Sequence, residues 1–397
     1  MSDAYSVPRA SGTRALPRIS RRWITKTSQV ERYFEELLAK ADIRINGDRP
    51  WDMRVHDRSV FAQVIANGSI ALGESYMAGA WDCERLDEFF WRVLSARLEE
   101  ETGRSLREIW LALKARAMNI QKGQRAYAVG RRHYDLGNEF FGAMLDSRMT
   151  YSCAYWKQAD SLEAAQEAKL DLICRKIGLQ RGQRILDIGC GWGSFAGYAA
   201  ERYGARVVGV TVSVEQARLA NARYAKLPVE VRVQDYRQLN ETFDHVVSVG
   251  MFEHVGFKNY RRYMEVVARC LRDQGAFLLH TIGQHKTVRS VDPWIEKYIF
   301  PNSMTPSPAQ ITAAADGLFC VRDWHCFGED YDPTLRAWHE NFQRNWHRFR
   351  KGLGKQFQRM WSYYLLSCAG SFRADDCQLW QIVLSKQGTG RYPVGVR

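Results

Sequence analysis

An acidic side chain follows a valine-rich segment in the stretch "SVGMFEHVG", residues 248–256. Residues His245 to Val249 are typical of a strand that is buried on both faces, and the chain then leads into Glu253. Three interpretations of Glu253 are open: a hydrogen-bonded polar group at a strand end, an acid that caps a helix, or a catalytic residue.

Three glycines in the stretch "LDIGCGWGS", Gly189, Gly191 and Gly193, follow a hydrophobic strand and precede a helix. Glycine lets the backbone turn tightly and approach a ligand, so this loop predicts a nucleotide-like ligand; the alternative is a turn without a ligand. Asp187 lies just before the loop, where a dinucleotide fold usually has small apolar residues. An acid suits the cationic amino acid end of S-adenosylmethionine better than a pyrophosphate. We therefore predict a methyl-donor site that includes Asp187, Gly189, Cys190 and Gly191.

The ends of the next two strands supply candidate contacts for the nucleoside part of the donor. The second strand of such folds normally ends in an acid that binds the ribose hydroxyls, but "VVGVTVSVEQ" places Thr211 there. Gln216, with help from Thr211, is the replacement contact, unless the contact is absent. In "VQDY", Asp235 lies between Gln234 and Tyr236 and is predicted to bind the adenine amino group; the other interpretation is a solvated loop acid.

An aromatic stretch, "YDLGNEFFGAMLDSRMTYSCAYW", precedes the first strand of this pattern. It is either plain core or a lid over the methyl donor with a wall that faces a developing cation. Its candidate residues are Tyr134, Tyr151, Ser152, Cys153, Tyr155 and Trp156. We assign Tyr134, Tyr151 and Ser152 to donor binding.

Strands alternate with helices from Gln183 onward. The predicted strands are "RILDIG", "ARVVGVTV", "VEVRVQDY", "HVVSVG" and "AFLLHTIG", and the helices include "SFAGYAAERYG" and "SVEQARLANARYAKL". This alternation predicts an α/β fold: a doubly wound, Rossmann-like parallel sheet of the class I methyltransferase type. The ligand is expected at the carboxyl ends of the strands.

A small, mainly helical module is predicted upstream of the sheet. "VERYFEELLAKADI" is typical of an amphipathic helix, and Gly68 and Gly79 interrupt the helices that follow. The first residues lack the apolar run of a secretory signal, and we interpret them as a basic tail rather than a transit peptide. The expected division is a flexible basic tail (1–29), a lipid-binding or dimerisation module (30–100), a linker (101–130) and a catalytic domain (131–397).

The composition favours a membrane surface as the partner. The chain has 397 residues and a formal net charge of +13, which predicts attraction to something anionic. The basic residues follow no nucleic-acid-binding motif, whereas the 13 Trp suit a boundary between apolar and polar surroundings. No stretch approaches the roughly 20 apolar residues that span a bilayer. Nine cysteines without a Cys-x-x-Cys pair indicate reduced thiols and no metal site. We therefore expect a cytoplasmic protein that binds the inner face of a membrane peripherally, and no nucleic-acid partner.

Several long motifs, in order along the chain, resemble the cyclopropane-fatty-acyl-phospholipid synthases and, more distantly, the mycolic acid cyclopropane synthases. The resemblance begins near Phe34 and continues to the C-terminus. The motifs are "INGDRPWDMRV", "LGESYMAGAWDC", "LDIGCGWG", "VGVTVSVEQ", "SVGMFEHVG", "FLLHTIG", "DPWIEKYIFPN", "DYDPTLRAW" and "YYLLSCAGSFRA".

This resemblance implies a reaction in which the methyl of S-adenosylmethionine becomes a methylene bridge across a cis double bond of a phospholipid acyl chain. It also implies a bound bicarbonate as the base and a homodimer. The implied bicarbonate site consists of Cys153, Glu253, His280, Ile282 and Tyr331. Glu253 would accept the bicarbonate O–H, while His280, the Tyr331 hydroxyl and the backbone N–H groups of Cys153 and Ile282 would donate to the other oxygens.

Some of these roles have plainer alternatives. His280 also suits a neutral structural histidine, and Tyr331 a core aromatic. Cys368 in "LSCAGSF" matches a position once assigned as catalytic in mycolic relatives, but its small neighbours also suit a packing role, and no nearby cation activates a thiolate. His254 is interpreted as a structural neighbour.

Two alternatives to the whole function remain at this stage. One is a methyltransferase that acts on a small molecule or an acyl chain without ring closure, which needs the donor site but no anion site. The other is a basic binding protein with an inactive methyltransferase fold. Dependence on bicarbonate distinguishes the first, and consumption of the donor with unsaturated lipid distinguishes the second.

Overall fold

The computed structural model describes residues 21–97, 136–288, 291–389 and 395–397, and of residues 21–28 only the backbone. Tyr134, the linker 101–130 and residues 1–20 of the basic tail lie outside the described residues. The remaining predicted site residues lie inside them.

The N-terminal module is mainly helical. Its elements are α1 (Arg21–Lys40), β1 (Arg54–Val55), α2 (Ser59–Asn67), α3 (Ser69–Ala78), β2 (Trp81–Asp82) and α4 (Leu86–Ser95). Strands β1 and β2 pair antiparallel. Gly68 and Gly79 end α2 and α3 with positive φ angles, as their positions in the sequence predicted.

The second part of the chain alternates strands and helices around one sheet. Its helices are α5 (Asn138–Met144), α6 (Leu162–Lys176), α7 (Ser194–Tyr203), α8 (Val214–Arg223), α9 (Tyr260–Cys270), α10 (Pro293–Tyr298), α11 (Pro308–Ala315) and α12 (Tyr331–Arg373). Its strands are β3 (Arg184–Ile188), β4 (Arg206–Thr211), β5 (Val229–Val233), β6 (His245–Val249), β7 (Ala276–Gly283), β8 (Cys320–Cys326) and β9 (Gln378–Ser385).

Among the described residues these seven strands form one sheet in the order β5-β4-β3-β6-β7-β9-β8. The five predicted strands, β3 to β7, are parallel. After β5 the chain crosses to the other half of the sheet, so the switch point lies between the neighbouring strands β3 and β6. A ligand crevice is expected at such a switch point. The predicted doubly wound α/β fold is therefore confirmed. The sheet is mixed rather than wholly parallel, because β9 runs antiparallel between β7 and β8, two strands at the edge that the sequence pattern did not predict.

Helix α12 joins the N-terminal module to the sheet. It packs along α4 so closely that a Cβ atom on Gly370 would lie 2.6 Å from the Cβ of Phe90. Arg373, near its end, pairs with Asp87 of α4 at 2.7 Å and with Asp332 of its own first turn at 2.9 Å. Gly354 interrupts the helix with φ 73°. None of the helices in the described ranges is long and apolar enough to cross a membrane.

Candidate active site

The glycine loop lies between β3 and α7, and its conformation requires glycine. Gly189, Gly191 and Gly193 have φ angles of 79°, 54° and 78°, in the left-handed region. A Cβ atom on Gly189 would lie 2.5 Å from the Cγ of Met251, so the side chain that follows β6 packs directly on the loop. The predicted donor site and Glu253, two residues beyond Met251, therefore belong to one region at the switch point of the sheet.

Asp187 is a buried acid whose hydrogen-bonding capacity is unused within the described part of the chain. It is 1% exposed, and neither carboxylate oxygen accepts a hydrogen bond from a described residue. Burial raises the pKa of Asp187 to about 7, against the opposing charge of Lys169. A buried carboxylate with open acceptors fits a cationic group such as the amino acid end of the methyl donor.

Thr211 and Gln216 form a polar pair at the end of β4. The Thr211 hydroxyl donates to Gln216 Oε1 at 2.8 Å, and both side chains are buried. The N–H of Gln234 donates to the Thr211 carbonyl at 3.0 Å, which brings the end of β5 alongside. The two side chains place a hydroxyl and an amide group at the strand end where an acid usually binds the ribose.

Asp235 is buried rather than solvated. Its Oδ1 accepts from the backbone N–H of Arg237 at 3.0 Å and from the Arg237 Nε at 2.9 Å. Burial raises the pKa of Asp235, but the hydrogen bonds from Arg237 outweigh burial and leave the pKa lowered. The interpretation as a solvated loop acid is therefore wrong. The neighbouring ring of Tyr236 packs on Tyr263 with 5.1 Å between the centroids.

Glu253 lies in a short 3-10 turn after β6 and is buried. Its Oε1 accepts a hydrogen bond of 2.7 Å from the backbone N–H of Ile282, and its Oε2 has no partner among the described residues. Burial raises the pKa of Glu253 to about 7, and the Ile282 N–H opposes that shift. Because Ile282 belongs to β7, Glu253 is not a helix cap. The N–H of Ile282, expected to donate to the anion, donates here to Glu253.

His280 is two residues before Ile282 on β7 and is 1% exposed. Burial, reinforced by the charges of Lys169 and Lys176, lowers the pKa of His280 well below its ordinary value, so the ring is neutral. The Gln381 side-chain Nε2 lies 3.3 Å from the His280 Nδ1. With Nδ1 as the acceptor, Nε2 carries the hydrogen, and this donor has no partner within the described ranges.

Tyr331, the first residue of α12, interacts electrostatically with Cys153 and Glu253, two other members of the predicted anion site. Burial raises the pKa of its hydroxyl well above the ordinary value, and the neighbouring ionisable groups of Cys153, Tyr151, Glu253 and Cys368 add to the effect. Burial also raises the pKa of both thiols. Cys153 and Cys368 are therefore protonated near neutral pH.

The aromatic stretch divides into two groups. Tyr151 lies in the site region: its hydroxyl is 2.9 Å from that of Tyr364, and its ring centroid is 5.1 Å from that of Trp338. Trp156 instead donates its indole N–H to the Thr334 hydroxyl, and Tyr155 packs on Phe327. His254 also has a packing contact, with Phe300 at 5.8 Å.

Two buried polar residues of this region were not predicted from the sequence. Gln381 lies within β9, a strand in which every residue is buried. Nothing in the sequence marked it as a partner of His280. Lys169 is 0% exposed and donates from Nζ to the Ser152 hydroxyl at 2.7 Å. The spacing did contain a signal for Lys169, because it falls on the apolar face of α6 with Ala165 and Ile173, four residues away on either side.

Comparisons with known proteins agree with this architecture. The family described as "Mycolic acid cyclopropane synthetase" matches residues 121–382. The cyclopropane-fatty-acyl-phospholipid synthase of Escherichia coli strain K12 is 53% identical over 355 residues, which cover 89% of this chain and 93% of that protein. The tuberculostearic acid methyltransferase UfaA1 of Mycobacterium tuberculosis is 35% identical over 359 residues, covering 84% of this chain and 83% of that protein.

A solved structure resembles the chain as well. The mycolic acid cyclopropane synthase CmaA1, crystallised with SAH and CTAB, is 33% identical with a TM-score of 0.62, over 66% of this chain and 98% of that one. The family match covers well over half of the chain, and the similarity to the Escherichia coli enzyme covers 89% of it. The chain therefore belongs to the S-adenosylmethionine-dependent cyclopropane fatty acid synthase family, a family of enzymes in the methyltransferase class.

Proposed function

We propose that this enzyme transfers a methylene bridge from S-adenosylmethionine to the cis double bond of an unsaturated phospholipid acyl chain, with bound bicarbonate as the base. The observation that carries the proposal is a matched pair of buried atoms: within the described residues, His280 Nε2 is a donor without an acceptor and Glu253 Oε2 is an acceptor without a donor. An anion that has one O–H group satisfies both.

The first step forms a bond between an alkene carbon and the donor methyl, and the carbon–sulfur bond breaks to release S-adenosylhomocysteine. The alkene electron pair is used in that bond, so the neighbouring carbon becomes a carbocation. One proton then leaves the new methyl group as the ring closes, and bicarbonate, when bound, supplies the base for that proton. The residues must orient that base and exclude water from the cation.

The roles of the anion-site residues follow from their protonation. Glu253 accepts the bicarbonate O–H, while neutral His280 and the Tyr331 hydroxyl donate to the other oxygens, with the N–H of Cys153. The N–H of Ile282 contributes through Glu253, which it orients. Cys153 acts as a protonated, buried residue, and the raised pKa of Cys368 supports a packing role rather than a nucleophilic one.

The donor site occupies the glycine loop and the ends of β4 and β5. Asp187 binds the amino acid end, and the backbone at Gly189, Cys190 and Gly191 follows the donor. Thr211 and Gln216 contact the ribose, and the adenine lies by Asp235, Gln234 and Tyr236. Ser152 and Tyr151 close this site from the aromatic side, with Tyr151 facing the cation. Tyr134, which falls in an undescribed part of the chain, completes this set from its position in the sequence.

The net charge of +13 supports docking on an anionic phospholipid surface. We propose that residues 30–100 form the lipid-binding or dimerisation module, that 131–397 form the catalytic domain, and that a homodimer works peripherally at the inner face of the membrane. Docking there lets one acyl chain reach the sheet edge without leaving the bilayer entirely.

A second candidate is methylation of the acyl chain without ring closure. It is favoured by one comparison, since the Mycobacterium tuberculosis relative that covers 84% of this chain is named a methyltransferase. Both products gain one CH2 group, but only the cyclopropane loses the double bond. Mass spectrometry with double-bond analysis of lipids from cells that express the enzyme distinguishes them.

The decisive test of the base is an assay in decarbonated buffer with unsaturated phospholipid vesicles. General-base catalysis usually contributes about 100-fold or more to the rate. We therefore expect the rate to fall by at least about tenfold when bicarbonate is removed, and to return when bicarbonate is added. A rate unchanged by careful removal of bicarbonate would show that the anion is not the base.

A further inference from the structure

A second feature of the site region is a buried ammonium group. Lys169 is 0% exposed, and its Nζ donates to a neutral acceptor, the Ser152 hydroxyl, at 2.7 Å. A buried ammonium is strongly unfavourable unless a negative charge lies nearby. The position of Lys169 therefore requires a counter-charge from another element.

Two acids interact electrostatically with Lys169: Asp146, in the turn after α5, and more weakly Asp187, at the end of β3. Asp146 already accepts hydrogen bonds from the Thr150 N–H at 2.7 Å and the Thr150 hydroxyl at 3.1 Å. Asp187 accepts none from the described residues, and Lys169 is the charged group that opposes the effect of burial on it. Two other titratable groups, Cys153 and His280, interact electrostatically with Lys169. Two further groups next to Asp187 are Cys190 and Tyr263.

We propose that Lys169 is a positioning residue for the methyl donor: its charge favours the ionised form of Asp187, and the ionised Asp187 then binds the cationic amino acid end of S-adenosylmethionine. This inference rests on the proposed role of Asp187 and extends it. It identifies the positive charge that opposes the effect of burial on Asp187 before the cationic ligand arrives.

The sign of the effect follows from burial. Burial alone favours the protonated Asp187, and a protonated carboxyl does not attract a cation. Lys169 opposes this because its charge lies close by, and its own pKa, lowered by burial to about 8, still leaves it mostly charged near neutral pH. Without that charge, Asp187 releases its proton only at a higher pH, so donor affinity moves to higher pH as well.

The test measures the dissociation constant of S-adenosylmethionine by calorimetry, from about pH 6 to about pH 9, a range that includes both pKa values. In Lys169→Met we expect the rise in affinity with pH to move upward by about one to two pH units. Affinity at neutral pH then falls by about five- to fiftyfold and rises again towards the upper end of the range. Lys169→Arg, which keeps the charge, is expected to retain the wild-type midpoint even if its affinity is lower overall.

Lys176→Met is the matched control, since Lys176 is equally buried on the same helix but pairs with Asp323 at 3.5 Å instead. Its midpoint should equal that of the wild type. Asp187→Asn distinguishes the proposed role of Asp187 from that of Lys169. If it binds the donor like the wild type, the proposed role of Asp187 is wrong. If it loses affinity at every pH while Lys169→Met keeps the wild-type midpoint, the role of Lys169 is wrong.

Discussion

Glu253 has one carboxylate oxygen bonded to the sheet and one directed to the proposed anion, so its two substitutions should differ. Glu253→Gln keeps a carbonyl oxygen that can accept from the Ile282 N–H, the 2.7 Å bond of the native side chain. Glu253→Ala leaves that N–H unpaired, at about 1–3 kcal/mol. We expect the alanine variant to lose about tenfold more kcat than the glutamine variant, measured with saturating donor and bicarbonate. Equal losses would indicate that the Glu253 carboxylate itself removes the proton from the new methyl group.

The same residue makes the stability of the protein depend on pH. The pKa of Glu253 is about 7 in the folded protein against an ordinary 4.5, so the native state binds more protons between these values and loses stability as pH rises through them. Glu253→Gln removes this penalty, about 3 kcal/mol near pH 8 on the scale of about 1.4 kcal/mol per pKa unit. Thermal unfolding should show a higher Tm for the variant near pH 8 and little difference near pH 4. A variant that is less stable at both pH values would contradict the raised pKa.

At the scale of elements, the contact between α12 and α4 depends on a single glycine. A Cβ atom on Gly370 would lie 2.6 Å from the Cβ of Phe90 and 2.7 Å from the backbone oxygen of Asp87, so Gly370→Ala forces the two helices apart. We expect a loss of about 1–3 kcal/mol in the free energy of unfolding, measured with urea.

Gly352 is the control for this substitution, and it lies in the part of α12 that precedes the interruption at Gly354. It is exposed, and no atom of the described residues lies within 4 Å of the Cβ position. Gly352→Ala should leave stability unchanged or raise it by up to about 1 kcal/mol through helix propensity. If both variants behave alike, close packing of α12 on α4 does not contribute to stability.

The elements also explain how far the sequence could predict the structure. Strands β3 to β7 were predictable because buried parallel strands are short apolar runs between amphipathic helices. Strands β8 and β9 were not, since "CVRDWHC" mixes polar and apolar residues and β9 follows the 43-residue helix α12. For the site, the residues at strand ends were identifiable from motifs. Gln381 was not identifiable, because its role depends on a contact with His280 that is distant in the sequence. Lys169 was missed although its place on the apolar face of α6 marked it, because that place alone does not name its partners.

At the scale of the whole molecule, positive charge is combined with partly buried aromatic residues along α12. The segment around its interruption at Gly354 contains half-buried Trp346 and Phe349 between exposed basic residues. Aromatic rings and basic groups together suit the boundary between headgroups and acyl chains. If this segment takes part in docking, its charges should matter more for membrane binding than the same number of charges elsewhere.

Two triple variants with the same net charge test this localisation. The α12 variant changes three exposed basic residues to Gln: Arg350, Lys351 and Lys355. The control variant does the same for exposed residues around β4 and α8: Arg206, Arg223 and Lys226. Basic residues at an anionic surface contribute about 1 kcal/mol each, so sedimentation with anionic vesicles at low salt should show about 100-fold weaker binding for the α12 variant and a much smaller change for the control.

Binding should fall with salt, because the Debye length shortens to about 3 Å at 1 M, and zwitterionic vesicles should not distinguish the variants. Equal losses would mean that net charge rather than this segment docks the enzyme, and binding that is indifferent to salt and lipid charge would exclude electrostatic docking altogether.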